Sequence, residues 1–197
     1  MEYSTAMTCQ MFWLNETRKT AELLLAGNTK SEIKELAFQE NLFQVRTKER
    51  TRRIFGATIR RLENLPDELI DAIAKGDIET GKLLVLISIM KTDVLFFEFM
   101  REAYRLAIIL GEKRVTDRVV NTFFNAKKTQ SDIIAGWSEE SIGRLKQCYP
   151  KMLFEAGILS SVTGERNIKI PHIDYRVRKL IGDNQLTSYL NAITGEE

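Results

Sequence analysis

Cysteine is almost missing from this chain: Cys9 and Cys148 stand alone among 197 residues, with no spacing partner. That excludes a disulfide framework and a zinc knuckle, and it fits a reducing, cytoplasmic setting. One histidine, His172, follows Pro171 in a loop and leaves the usual Cys/His metal sites without donors. Long apolar runs are missing too. Residues 83–90 are bounded by Lys82 and Lys91, and residues 94–110 carry Glu98, Arg101, Glu102 and Arg105. A bilayer core needs roughly 20 apolar residues in a row, so both segments read as buried core helices. Glu2 and the lack of a basic n-region argue against a secretory leader. There is no phosphate-binding loop, dinucleotide fingerprint or H-E-x-x-H, and no spacing sets a nucleophile beside a base. No enzyme activity, cofactor or metal site is expected.

Breakers are also scarce, with 3 prolines and 11 glycines. What fills the sequence instead is 3.6-residue periodicity, which predicts an all-α fold. Helices are expected over 8–26, 29–39 (Thr29 and Glu32 spaced as a capping box), 47–64, and from Pro66 to Gly76. Asp77 and Asp93 cap two apolar helices, the second ending at Gly111. Further helices span 115–128, 131–135, 138–157 with a kink or break near Tyr149 ahead of Pro150, 174–181 and 185–193. Residues 158–170 have room for one small β-hairpin. Phe96, Phe97, Phe99, Phe123 and Phe124 read as core, as do Trp13 and Trp137. The expected outcome is a compact multi-helix globule with an N-terminal part over 1–112 and a C-terminal part over 113–197. Packing of both as one domain stays open.

The net charge of +2 hides a segregated pattern. Residues 41–65 hold Arg46, Lys48, Arg50, Arg52, Arg53, Arg60 and Arg61 against Glu49 and Glu63, a net of +5. Residues 66–80 follow with a net of −4. At about 100° per residue, Phe55, Thr58, Ile59 and Leu62 share one face. Arg46, Arg53 and Arg60 lie opposite it, flanked by Arg50 and Arg61. A solvent-facing arginine row of this kind suits phosphate oxygens. The alternative is a solvated face, neutralised by the acidic segment or by a protein partner.

Two segments have the order of a helix–turn–helix. The first joins 29–39 to the basic helix, with Ser31, Lys34, Gln44, Arg46 and Lys48 near the entry. The second runs through 115–128, 131–135 and 138–157 into the hairpin, the order of a winged helix. Arg144, Gln147 and Lys151 stand on its outer face, Lys127, Lys128, Arg166 and Lys169 lie nearby in sequence, and Glu139 and Glu140 at the helix start would repel phosphate.

Four short stretches then resemble a known family: Glu40-Asn41-Leu42-Phe43-Gln44, Lys91-Thr92, Trp137-Ser138-Glu139-Glu140-Ser141, and Leu153-Phe154-Glu155-Ala156-Gly157-Ile158-Leu159. In combination they are similar to the BrxA family of BREX phage-defence systems, over nearly the whole chain. The resemblance implies an all-helical protein with helix–turn–helix elements and positive surface, acting on DNA and carrying no catalytic residues. On the charge geometry, the DNA-contact residues expected are Arg46, Lys48, Arg50, Arg53, Arg60 and Arg61, with Arg144, Gln147 and Lys151 as a second contact. The expected partner is double-stranded DNA, with other BREX subunits as further candidates and no membrane. An adaptor role toward an acidic subunit and RNA binding are the rival readings. No long heptad repeat calls for an oligomer, so a monomer is expected.

Overall fold

Short polar side chains set the helix starts. The computed structural model describes residues 2–196. A 3-10 turn at Ala6–Cys9 precedes α1 (Leu14–Leu25), α2 (Lys30–Gln39), α3 (Lys48–Leu62), α4 (Asp67–Lys75) and α5 (Ile78–Thr92). Then α6 (Val94–Phe99) widens into a π-turn at Met100–Tyr104 and continues as α7 (Arg105–Ile109). The remaining helices are α8 (Asp117–Gln130), α9 (Asp132–Ala135), α10 (Glu139–Glu155), α11 (Tyr175–Asp183) and α12 (Thr187–Thr194). The fold is all-α, as the periodicity requires. Thr47, Asp93, Thr116, Ser131 and Ser138 each accept a hydrogen bond from the backbone N–H three residues on. Each such cap contributes about 1 kcal/mol.

Three local readings change. The helix expected over 8–26 is interrupted, because the chain straightens after Cys9 and restarts at Leu14 from Trp13, whose φ is +51°. No glycine or proline marks this break; the burial of Phe12 and Trp13 does. Pro150 breaks nothing, since α10 runs through it from Glu139 to Glu155. The hairpin shrinks to isolated bridges, Leu159 with Ile168 and Arg114 with Asn167. Ser160 N–H donates to the Asn167 carbonyl at 2.9 Å and Lys169 N–H to the Ile158 carbonyl at 3.0 Å.

The chain divides into two compact units, one of residues 12–92 and one of residues 2–11 with 93–196. The division falls at Asp93, where a capped start separates α5 from α6, whereas the sequence reading set it at 112–113. In the 12–92 unit, α5 is buried along Leu83–Met90 and its neighbours supply Ile33, Ile54, Ile59, Leu62, Leu69 and Ile73. In the other unit, Tyr149 of α10 meets Phe96, Phe99 and Phe124 with ring centroids 5.0 to 5.3 Å apart. The phenylalanines expected in the core are therefore there, with Phe97 only half-buried against Tyr189. Among the described residues no helix is long and apolar enough to cross a membrane.

Two carboxylates at helix starts of the 12–92 unit, Glu32 and Asp77, accept hydrogen bonds from the backbone N–H groups of Thr29 and Thr80. The Thr29 N–H holds the Glu32 carboxyl below its ordinary 4.5, and the Thr80 N–H holds Asp77 below its ordinary 3.8. Depressed values contribute stability that is complete above the ordinary pKa and lost as pH falls through the folded one. Glu32→Gln with Asp77→Asn should flatten the fall of the thermal midpoint between about pH 5 and pH 2. An acid limb of unchanged steepness would assign the effect to other groups.

Candidate nucleic-acid interface

The phase of α3 decides which of its arginines meet solvent. Thr51, Ile54, Phe55, Ala57, Thr58, Ile59 and Leu62 are buried against the unit's core. That leaves Glu49, Arg52, Arg53, Gly56, Arg60 and Glu63 exposed along the opposite side. Arg46 and Lys48 at the approach to the helix and Arg50 in its first turn are exposed as well. Arg46, Lys48, Arg50, Arg52 and Arg60 have no ion pair among the described residues. Arg53 is paired with Glu49, four residues back on the same helix. Glu63, the other acid of this face, reaches Lys30 of α2 at 2.9 Å.

The acidic segment that follows does not fold back to cancel this face. Asp71 pairs with Lys75 within α4, and among the described residues no ion pair joins Asp67, Glu68 or Asp71 to α3. Asp67 and Glu68 sit in the first turn of α4, where a carboxylate suits the helix dipole.

Arg61 is a correction to the expected set. Its side chain is buried, at 1% exposure, so it does not belong to the solvent-facing row. One step of about 100° past Arg60 carries it to the edge of the apolar face, beside Ile54 and Ala57. There Nη1 donates to the Phe12 carbonyl at 2.7 Å and the guanidinium lies 5.8 Å from the Trp13 ring centroid. Arg52 takes its place outside. Charge counting notes Arg52 without assigning it, although the seven-residue spacing from Arg46 to Arg53 and Arg60 passes close by.

Between α2 and α3 the chain turns through two left-handed residues, Asn41 (φ +51°) and Gln44 (φ +53°). The Asn41 side chain accepts from Val45 N–H at 2.9 Å, and Phe43 anchors the turn by burial. Gln44 is exposed in this turn, whereas Ser31, also exposed, stands in the first turn of α2 at the other end of that helix, with exposed Lys34 between them.

The second candidate surface is largely neutralised by its own acids. Arg144 reaches Glu140 at 2.6 Å and Lys151 reaches Glu155 at 3.8 Å, while Gln147 is exposed. Lys128 pairs with Glu139 and holds that carboxyl below its ordinary value. Two other cations nearby in sequence are interior. Lys127 is buried and lies 2.8 Å from both Glu98 and Glu102. Burial works against its charge, and the hydrogen bonds to Glu102 and Glu98 outweigh it, raising the pKa. Arg166 is buried too, bonded to the Val115 carbonyl and to Asp117. Lys169 stays exposed. What remains is an open groove of about 670 Å³ between α8, α10 and the 162–166 loop, with Lys146, Gln147 and Lys151 on its wall.

The molecule so described is of a definite class: an all-α protein that presents a cationic helix face with few ion pairs among the described residues. The chain belongs to the BrxA family, whose family description matches residues 1–185. It is 39% identical over 197 residues to a protein of Bacillus cereus (strain H3081.97) named BREX protein BrxA, covering 98% of this chain and 97% of that one. The fold is shared with the crystal structure of an uncharacterized protein from Magnetospirillum magneticum, with a TM-score of 0.84, 19% identity and complete coverage of both chains.

Proposed function

We propose that this chain is a DNA-binding accessory protein of a BREX phage-defence system, gripping duplex DNA mainly by its phosphates. The observation that carries the reading is the exposed face of α3, where Arg52, Arg53 and Arg60 stand, with Arg46, Lys48 and Arg50 exposed at its start; of these, only Arg53 has an ion-pair partner among the described residues. Guanidinium groups placed this way displace condensed counterions and grip phosphate oxygens in pairs. The α2–turn–α3 arrangement supports a helix–turn–helix mode of docking, and the succession α8, α9, α10 with its two bridges supports a winged-helix element in the other unit. The second element contributes less, since Arg144 and Lys151 must first release Glu140 and Glu155. In this reading the protein works in the cytoplasm as a monomer, without a reaction of its own, alongside other BREX subunits.

A direct titration tests it. Labelled duplex, single-stranded DNA and RNA are each titrated at two salt concentrations. Tightest binding to duplex, weakening steeply with salt, is expected. Binding to an acidic BREX subunit that excess nonspecific duplex fails to compete, with no duplex affinity, would replace the DNA reading by an adaptor one.

A further inference from the structure

We propose that Gly56 is a seat for the DNA backbone, the point where a phosphodiester packs directly against α3 between Arg52 on one rim and Arg53 and Arg60 on the other. The inference rests on the duplex-binding reading and adds to it the geometry of closest approach.

Nothing inside the protein requires glycine here. Gly56 lies within the hydrogen-bonded run of α3, its φ is not in the left-handed region, and a Cβ built on it meets no atom within 4 Å. Neither a turn nor close packing therefore explains it. Glycine is among the weakest helix formers, and an exposed helix position tolerates almost any better one. Its position is also specific. The buried residues of α3 place the centre of the exposed face at Gly56, with Arg52 about 40° to one side and Arg60 and Arg53 about 40° and 60° to the other. Glu49 and Glu63, about two turns before and after it on nearly the same line, are held by Arg53 and Lys30.

The missing side chain leaves a notch. Helix Cα atoms lie about 2.3 Å from the axis while side chains carry the surface to about 5 or 6 Å, so the notch is about 3 Å deep. Its rims carry the guanidinium groups and its floor is bare helix backbone. A phosphodiester seated there keeps its charged oxygens within reach of arginines on both rims, and its ester and sugar atoms fill the floor. Arginines on a helix with a full-sized residue at this position would have to reach over it. Close approach of a backbone to a ligand is a recurrent use of glycine.

The test is a size series at this position in the full chain: Gly56→Ala, Gly56→Gln and Gly56→Leu, each measured for thermal unfolding and for binding to a labelled duplex across a range of salt. All three should raise the unfolding midpoint, by about 2 to 4 °C, because each replaces glycine in an open helix interior. Duplex affinity should fall in order of size, about threefold for alanine and tenfold or more for glutamine and leucine, as each extra group lifts the phosphate off the floor. The slope of log affinity against log salt should stay near the wild-type slope, since no charge has been removed. If wild type binds duplex and Gly56→Leu binds it equally well, the seat is overturned and the binding reading stands. If wild type binds no duplex, both are overturned.

Discussion

Exchanging Arg53 and Arg60 together for glutamate will lower duplex affinity on the order of 100-fold near 0.1 M salt and reduce the salt slope by about 2. Both side chains sit on the exposed side of α3, within one turn of Gly56. Each arginine taken from a phosphate removes close to one unit of slope, and each new carboxylate adds repulsion where attraction stood. The fold gives little reason for an indirect effect. Arg60 has no ion pair among the described residues, and the Arg53–Glu49 pair is an exposed one along a single helix. Such pairs contribute about 0 to 1 kcal/mol. Thermal unfolding should therefore be nearly unchanged. Arg144→Glu should cost much less, because the cations of its surface, Arg144, Lys128 and Lys151, are all matched by Glu140, Glu139 and Glu155, whereas Arg60 has no ion pair among the described residues. A folded double variant that keeps wild-type affinity would remove α3 from the interface.

The contrast between what was legible in the sequence and what was not follows burial. Capped helix starts are local, so Thr29, Asp93 and Ser138 could be placed without any tertiary information, and each caps the helix expected of it. The charge segregation was equally plain, and so was the apolar character of α5. Phase was harder. Two adjacent arginines, Arg60 and Arg61, look alike as letters but stand about 100° apart on the helix. The sequence reading put Arg60 in the outer row and Arg61 on its flank. Only the position of Phe12 and Trp13 shows why one of them is inside, and those residues are far from Arg61 in sequence. The restart of the chain at Leu14 was illegible for the same reason. Lys127 was hidden likewise, for its two carboxylates come from the stretch around the π-turn. Gly56 was visible throughout, but its meaning needed proof that the space above it is open.

Arg61 supplies the second large effect, and it runs in the opposite sense to that of its neighbour. Arg61→Ala should destabilise the 12–92 unit by about 3 to 5 kcal/mol, through a large cavity and a broken charge-assisted hydrogen bond. The bond goes to the carbonyl of Phe12, the residue before Trp13, which itself holds a left-handed conformation without being glycine. A residue strained by about 1 to 2 kcal/mol persists only where its surroundings hold it, and the Arg61 guanidinium beside the Trp13 ring is part of that hold. Arg61→Met refills much of the volume without the donor, so it should cost less than alanine; Arg61→Lys keeps a donor and loses the planar stack, and should fall between wild type and alanine. Thermal or denaturant unfolding reads these costs, and the salt slope of duplex binding, measured where the variants remain folded, reads the other role. An interior arginine moves the first and leaves the second, whereas Arg60 does the reverse. If Arg61→Met were as stable as wild type yet showed one unit less of salt slope, Arg61 would be reaching phosphate after all, and the phase assigned to α3 would have to turn by most of a quarter revolution.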